Sequence, residues 1–292
     1  MITLIDRRVK FLSERLILSC HILIVGLREV DSGKTTIASA VIDLLNQAGC
    51  APCGFKPKAG NMLWYDYDIV YEALSSGRLY GKDSVKLKRA SGTGLPLEAI
   101  SPIHRLHGIP SDSRPLKLTG PNGFVMDRIS LWNGEQVQIL VLNDNYHLDK
   151  GTESLRGKIL SKSEKVIHVE NVEQINRVVR RYYSRAIRSA HDLVDSRHDS
   201  IVYESYSDIA LPWEGIRDLD SVFLARPGSV EVYDPDRYLT AVKMQGSMTG
   251  ETTTRGVRGL LEPSMSLRIP PFRSSEVPGK IKMAIAPLVA EC

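Results

Sequence analysis

The sequence predicts an α/β fold in which a mostly parallel sheet is flanked by helices in three layers. Short apolar runs rich in β-branched residues alternate with segments of helical periodicity, and this alternation is typical of such folds. The 292 residues include 42% hydrophobic residues, enough to build a large core. The net charge of +4 is a weak bias, and four cysteines are too few for a disulfide-dense class.

The clearest local unit is a strand, a polar loop and a helix. The apolar run HILIVG (21–26) predicts a central strand, and residues 27–32 are polar. Apolar residues then recur at helical spacing over 33–49, and Gly49 closes that helix. Later patterns predict helices at 66–77, 82–90, 171–195 and 236–244, and strands at 51–58, 166–170, 200–205, 221–228 and 281–289.

A β-hairpin is predicted in the middle of the chain. Strand-like runs at 124–130 and 137–144 flank Asn133-Gly134, a pair that favours a tight turn. A parallel sheet does not need this hairpin. We therefore expect it to be an insertion at about 120–150 or an edge of the sheet.

The sequence predicts a single domain over 1–244, with residues 245–292 as a C-terminal extension that packs on the same domain. The longest apolar stretch, 16–26, is shorter than the ~20 residues that a membrane-spanning helix needs. The start of the sequence contains Asp6 and Glu14 and lacks a clean signal-peptide pattern. We therefore expect a cytoplasmic protein without a membrane partner.

A candidate phosphate-binding loop joins the first predicted strand to its helix. Backbone N–H groups at a helix start face a bound anion, and the helix dipole favours the negative charge. Lys34 is expected to reach the terminal phosphates, and the Thr35 hydroxyl to ligate Mg²⁺. The predicted nucleotide-binding residues of this loop are Asp31, Ser32, Gly33, Lys34, Thr35 and Thr36.

This loop departs from the usual GxxxxGK[ST] pattern of P-loop NTPases. The position five residues before Gly33 is Arg28 instead of glycine, and the upstream glycine, Gly26, lies seven residues back. The motif predicts nucleotide binding through a deviant Walker A loop. An ordinary helix start is the alternative.

Three segments resemble those of the superfamily that includes dethiobiotin synthetases, cobyrinic acid amidating synthetases and MinD/ParA-type ATPases. GLREVDSGKT (26–35) is similar to the longer phosphate loop of dethiobiotin synthetases, and GFKPKAG (54–60) resembles their second strand, which ends in Lys-Pro. IVYESYSDIALP (201–212) resembles the segment in which an acidic residue at a strand end precedes a small-residue loop and a proline. Glu204 and Pro212 keep the spacing of eight positions.

The resemblance implies an ATP- and Mg²⁺-dependent enzyme of hydrolase or ligase type, which activates a small carboxylate- or carbamate-like acceptor by phosphoryl transfer. It also implies a homodimer, and the acceptor itself is not identified. The residues it implicates are, for catalysis, Lys34, Lys56 and Glu204; for Mg²⁺, Thr35, Asp66, Asp68 and Glu204; and for the nucleotide base, Arg226 and Pro227.

Several of these residues have purely structural alternatives. Lys56 fits a surface lysine, Asp66 a helix N-cap, and Arg226-Pro227 a turn. The predicted loop at 101–110 borders the acceptor site by resemblance, although exposed loop histidines are the simpler interpretation. Its candidate residues are His104, Arg105 and His107. Cys50 and Cys53 have CxxC spacing, but two buried or half-buried thiols are favoured over a zinc site.

Two other functions stay open. EVDSGKTT (29–36) also resembles the phosphate loop of RNA 5′-hydroxyl polynucleotide kinases, so a kinase acting on a hydroxyl is one alternative. In that case the arginine-rich helix at 173–188, with Tyr182 and Tyr183, would be an RNA-binding face, whereas a solvated helix face is the simpler interpretation. The other alternative is a MinD/ParA-like switch ATPase that dimerises on ATP.

Overall fold

The protein is an α/β protein made of two compact units. Its structure, a computed structural model, describes residues 9–12, 15–27, 32–108, 123–249, 252–269 and 277–289. The first unit comprises Met1–Phe55, Lys86–Gly94 and Val194–Cys292, and the second comprises Lys56–Val85 and Leu95–Leu193. The expected single domain over 1–244 is therefore split between two units, and the described part of 245–292 belongs to the first.

A six-stranded sheet forms the framework of the first unit. Its strands are β3 (His21–Gly26), β4 (Pro52–Phe55), β10 (Ser200–Glu204), β11 (Ser221–Arg226), β12 (Ser229–Tyr233) and β13 (Met265–Arg268). They lie in the order β13–β12–β11–β3–β10–β4. The strands from β11 to β4 are parallel, and β12 and β13 add antiparallel pairs at one edge. The predicted parallel sheet is confirmed at the centre of this unit, where β3 is buried along its whole length.

Among the described residues, four helices lie wholly within this unit: α1 (Lys34–Gln47), α8 (Pro235–Thr249), α9 (Thr254–Arg258) and α10 (Val277–Val289). A separate hairpin pairs β1 (Val9–Leu12) with β2 (Arg15–Leu18). Helix α1 packs against β3, β4 and β10, and α10 packs against α1. The strand predicted at 281–289 is wrong: Ile281, Ile285 and Leu288 are buried at helical spacing.

The second unit contains its own five-stranded mixed sheet. Its strands are β5 (Lys58–Met62), β6 (Ile103–His107), β7 (Phe124–Asn133), β8 (Glu135–Asn143) and β9 (Lys165–Val169), which lie in sequence order. The predicted hairpin is present as β7 and β8, with Gly134 at φ +79° in the turn. It is not an edge, because β7 is the central strand of this second sheet, and it lies in the segment Leu95–Leu193 that interrupts the first unit.

Helices α2 (Tyr67–Ser75), α4 (Leu97–Ile100), α5 (Lys150–Leu160) and α6 (Val172–Val178) complete the second unit. The unit boundaries fall within α3 (Lys82–Ser91) and near the end of α7 (Ser184–Asp195). A π-helical turn, Val179–Tyr183, joins α6 to α7, so the helix predicted over 171–195 is confirmed with one irregular turn. None of the described helices combines the length and the apolar content that a membrane crossing requires.

Candidate functional site

The candidate site lies at the carboxyl edge of the first sheet. Strand β3 is paired in parallel with β10 on one side and with β11 on the other. Since parallel strands end at the same edge, Gly26, Glu204 and Arg226 all lie there. Ligands of open α/β sheets bind outside the carboxyl ends of the strands. The sheet thus brings the predicted loop and the predicted acidic strand end to one edge.

Two glycines bracket the candidate phosphate loop. Gly33 adopts φ +85° as the residue that precedes α1, and the space beside its α-carbon is open. A side chain there would be strained by the left-handed backbone. A β-carbon on Gly26 would collide with the Ser32 hydroxyl and contact the Lys34 stem. Ser32 and Lys34 therefore lie against the end of β3; Arg28 and Asp31 of the same loop lie outside the described part of the chain.

Lys34 and Thr35, in the first turn of α1, both reach the segment that follows β10. The buried Lys34 ammonium donates to the Ser207 carbonyl at 2.7 Å and to the Ser32 hydroxyl at 3.2 Å. The Thr35 hydroxyl donates to Glu204 Oε1 at 2.9 Å, and Glu204 is fully buried. Ser207 has φ +50°, which is uncommon for a non-glycine residue. The predicted lysine, threonine and glutamate are thus in direct or near contact.

The chemistry of Thr35 and Glu204 fits a Mg²⁺ ion. A hydroxyl and a carboxylate oxygen are the hard ligands that Mg²⁺ prefers, and this ion usually takes only one or two carboxylates and keeps several waters. Within the described residues, no cluster of three or more His, Cys, Asp or Glu side chains could hold a metal ion. A Mg²⁺ ion at this edge would therefore depend on Thr35, Glu204, phosphate oxygens and water.

Arg226 and Pro227 line a cavity of about 630 Å³ at the same edge of the sheet. Its described lining residues are Leu27, Arg226, Pro227, Arg255, Arg258 and Gly259. The turn interpretation also holds, because Gly228, at φ +80°, connects β11 to β12. The sequence analysis did not identify Arg255 and Arg258. Both lie on α9, and their spacing of three residues is the local signal that places them on one side of that helix.

Glu231 holds two of these arginines. Its carboxylate accepts from Arg258 Nε at 2.8 Å and Nη2 at 2.9 Å, and it lies 3.1 Å from Arg226 Nη2. The hydrogen bonds from Arg258 hold the pKa of Glu231 below its ordinary value, against the opposing effect of burial. The carboxylate is therefore an ionised anchor between β12 and α9.

Three predicted site residues lie in the second unit. Lys56 is buried with its ammonium 2.5 Å from Asp83 Oδ2, so it is not an ordinary surface lysine. Asp66 occupies the position that precedes α2, where its carboxylate accepts from the Met62 N–H at 3.2 Å. Asp68 is exposed in the first turn of α2. Their predicted roles toward Mg²⁺ and the acceptor stay predictions.

The segment with His104 and His107 is a strand and not the predicted loop. It forms β6, which pairs in parallel with β5 and antiparallel with β7. His104 is fully buried, and burial lowers its pKa well below 6.5, assisted by the positive charge of Arg128. Burial, assisted by the positive charge of Arg105, lowers the pKa of His107 to about 4. Both rings are therefore neutral at pH 7.

The arginine-rich helix presents a solvated face. Its arginines are exposed: Arg177, Arg180, Arg181, Arg185 and Arg188. Tyr182 and Tyr183 are buried, so neither ring is available for stacking on a nucleic-acid base. Cys50 is half-buried and Cys53 is buried, which agrees with the predicted burial of these thiols; burial raises the pKa of Cys53 to about 12.

Comparison with protein-family models finds no match for this chain, and comparison with curated proteins finds none either. The site itself is therefore the basis on which a function can be assigned. Its central feature is a helix start at the end of a buried strand, with Lys34 and Thr35 facing the segment that begins at Glu204.

Proposed function

We propose that this protein is an ATP- and Mg²⁺-dependent P-loop ATPase or synthetase that activates a small carboxylate- or carbamate-like acceptor by phosphoryl transfer. The observation that carries the proposal is the 2.9 Å hydrogen bond between Thr35 and Glu204, beside Lys34 at the start of α1. All three groups, Lys34, Thr35 and Glu204, belong to the first unit. An ordinary helix start does not require a buried lysine and a buried carboxylate at the same edge of the sheet, so their presence favours the nucleotide-binding interpretation.

The roles of these residues follow from their charges. Backbone N–H groups of 32–36 and the Lys34 ammonium bind the β- and γ-phosphates, which requires Lys34 to exchange the Ser207 carbonyl for phosphate oxygens. Thr35 and Glu204 hold Mg²⁺, which supplies neutralisation of phosphate charge when bound. Catalysis of phosphoryl transfer is mainly positioning and charge stabilisation, so these groups suffice for the donor side.

The acceptor side of the proposal depends on Lys56. Its ammonium would neutralise the carboxylate or carbamate of the acceptor, as the Lys-Pro resemblance implies. In the reaction, an acceptor oxygen bonds to the γ-phosphorus while the bond to the bridging oxygen breaks, and ADP leaves. Arg226 and Pro227 keep the role predicted from the sequence within this proposal, and the predicted metal roles of Asp66 and Asp68, which belong to the second unit, stay predictions.

Nucleotide binding by a Lys34→Ala variant tests the donor side. Removing the ammonium deletes charge-assisted hydrogen bonds, so we expect ATP affinity to fall roughly 10- to 100-fold. Isothermal titration with Mg²⁺·ATP measures this, and the exposed Lys243, replaced by alanine, is the matched control. If the wild-type protein binds neither ATP nor GTP, the nucleotide-binding proposal is wrong.

The reaction type needs a second experiment on the wild-type protein. We expect ADP release to rise when the acceptor is added, either as a small carboxylate or as an amine together with carbon dioxide, which form a carbamate. Transfer of the γ-phosphoryl group to an RNA 5′-hydroxyl would favour the kinase alternative. Slow hydrolysis without any acceptor, together with ATP-dependent dimerisation, would favour a MinD/ParA-like switch.

A further inference from the structure

The cavity at the carboxyl edge of the first sheet has an unusual lining. All of its charged described residues are arginines, namely Arg226, Arg255 and Arg258, and Glu231 offsets one of their charges. Arginine donates hydrogen bonds and accepts none. A ligand in this cavity must therefore offer acceptor atoms, negative charge or an aromatic face to the guanidinium groups.

Arg255 differs from the other two arginines that line the cavity. Arg226 and Arg258 are engaged by Glu231, whereas the exposed Arg255 side chain makes no ion pair or hydrogen bond within the described part of the chain. The Arg255 carbonyl accepts from the Gly259 N–H, which involves only the backbone. Its guanidinium is thus available to a ligand without breaking a contact.

The segment that contains Arg255 is hydrogen-bonded to the same stretch of chain, 207–208, that Lys34 contacts. The Thr254 N–H donates to the Asp208 carbonyl at 2.6 Å, and the preceding residue, Ser207, accepts from Lys34. The Thr253 hydroxyl caps α9 by accepting from the Gly256 N–H. These bonds fix α9 relative to the segment that Lys34 contacts.

We infer that Arg255 binds the nucleoside end of the nucleotide, its guanidinium stacking on the purine or donating to ring nitrogens and ribose oxygens. This inference rests on the proposed function, which puts the phosphates at 32–36. None of the residues 32–36 lines the cavity, whereas Leu27, just after β3, does. The cavity therefore lies beside the phosphate position, where the rest of a nucleotide must extend. The C-terminal segment, outside the resemblance to dethiobiotin synthetases, then completes the nucleotide site.

Titration with two probes tests this inference. Mg²⁺·ATP contains a nucleoside, and inorganic tripolyphosphate does not. For Arg255→Ala we expect ATP affinity to fall about tenfold, the scale of a lost cation–π or hydrogen-bonding contact, with tripolyphosphate affinity unchanged. Arg217→Ala removes an exposed arginine outside the cavity of the same unit, and we expect it to match the wild type with both probes.

The outcomes separate this inference from the proposed function. If Lys34→Ala abolishes ATP binding and Arg255→Ala leaves it intact, the inference is wrong and the proposed function stands. Equal losses for ATP and tripolyphosphate in Arg255→Ala would put Arg255 on the phosphates and overturn the nucleoside contact. Absence of ATP binding in the wild type overturns both. An unchanged thermal midpoint of Arg255→Ala excludes misfolding as the cause of a loss.

Discussion

At the scale of single residues, Thr35 links the candidate phosphate loop to the acidic end of β10. Its hydroxyl donates to Glu204, and the same oxygen keeps lone pairs that a metal ion can use. A charge on a fully buried carboxylate is costly without such partners. The pair therefore offers two hard oxygen ligands to a cation, whose charge would compensate an ionised Glu204.

Thr35→Val tests this pairing, because valine keeps the shape of threonine and removes the hydroxyl. We expect the Mg²⁺ requirement of ATP binding to shift, with affinity for Mg²⁺ roughly tenfold weaker or more. Nucleotide titrations at a series of Mg²⁺ concentrations measure the shift. Thr35→Ser retains the hydroxyl and is the control; if serine and valine behave alike, the hydroxyl is not a ligand.

The spacing and strand–helix context of Gly33, Lys34 and Thr35 predict a helix start after a buried strand, and the structure has them there. Their role in phosphate binding stays a prediction. Arg255 was not predictable. It lies far along the chain from that loop, and only the pairing of the C-terminal segment with residues 208–210 brings it to the cavity. Local patterns carry no information on such distant contacts.

At the scale of secondary-structure elements, the long α6–α7 helix is tied to the second sheet by a polar network. Arg105 on β6 makes two 2.8 Å hydrogen bonds to Asp127 on β7 and a third, at 3.1 Å, to the Tyr183 hydroxyl. Tyr183, in the π-helical turn, also donates to Asp127. Burial and the charge of Asp127 raise the pKa of Tyr183 well above 10, so its hydroxyl stays protonated as a donor.

Asp127→Asn removes the only charge in this network that compensates Arg105. Since Asp127 is fully buried, we expect the free energy of unfolding to fall by about 3 kcal/mol. Chemical denaturation measures the change. Asp144→Asn, at a surface ion pair with His168, is the matched control, and we expect it to change stability by less than about 1 kcal/mol. If Asp127→Asn and Asp144→Asn lower the free energy of unfolding equally, burial of the Arg105–Asp127 pair does not determine its contribution to stability.

Elements with strong local patterns were predictable, and elements set by packing were not. The apolar run of β3 and the periodic helix α1 agree with the structure, as does the hairpin of β7 and β8. Helix α10 was mistaken for a strand because a short, mostly apolar run does not distinguish the two, and its packing against α1 favours the helix. Pro57 separates β4 from β5, since proline has no N–H for a sheet.

At the scale of the whole molecule, the sequence did not reveal that two sheets form. The second unit is inserted twice, between Phe55 and Lys86 and between Gly94 and Val194. Each insertion contains ordinary strands and helices, whose patterns are compatible with one larger sheet. Which strands pair depends on contacts between segments far apart in sequence, and a periodicity argument cannot supply them.

The second unit also contains a built-in sensitivity to acid. His104 and His107 are neutral in the folded protein, with the pKa of His107 at about 4 and that of His104 well below 6.5. In both cases burial is the main cause, and the cations nearest to them, Arg128 for His104 and Arg105 for His107, add to it. Neither ring nitrogen of His104 has a hydrogen-bond partner within the described residues that would favour its protonation.

Lowering the pH should therefore destabilise this unit. An unfolded histidine binds a proton below about pH 6.5, whereas these folded histidines stay neutral until the pH approaches their lower pKa. The contribution of each neutral histidine to the free energy of unfolding is therefore fully present above pH 6.5 and is lost as the pH falls toward the folded pKa. We expect each histidine to lower the free energy of unfolding by about 2 kcal/mol between pH 7 and pH 5. Urea denaturation at the two pH values measures this for the wild type and for His107→Gln, which should lose less stability than the wild type. The exposed His147, replaced by glutamine, is the control. If His107→Gln and the wild type lose equal stability, the buried imidazole is not the acid-sensitive group.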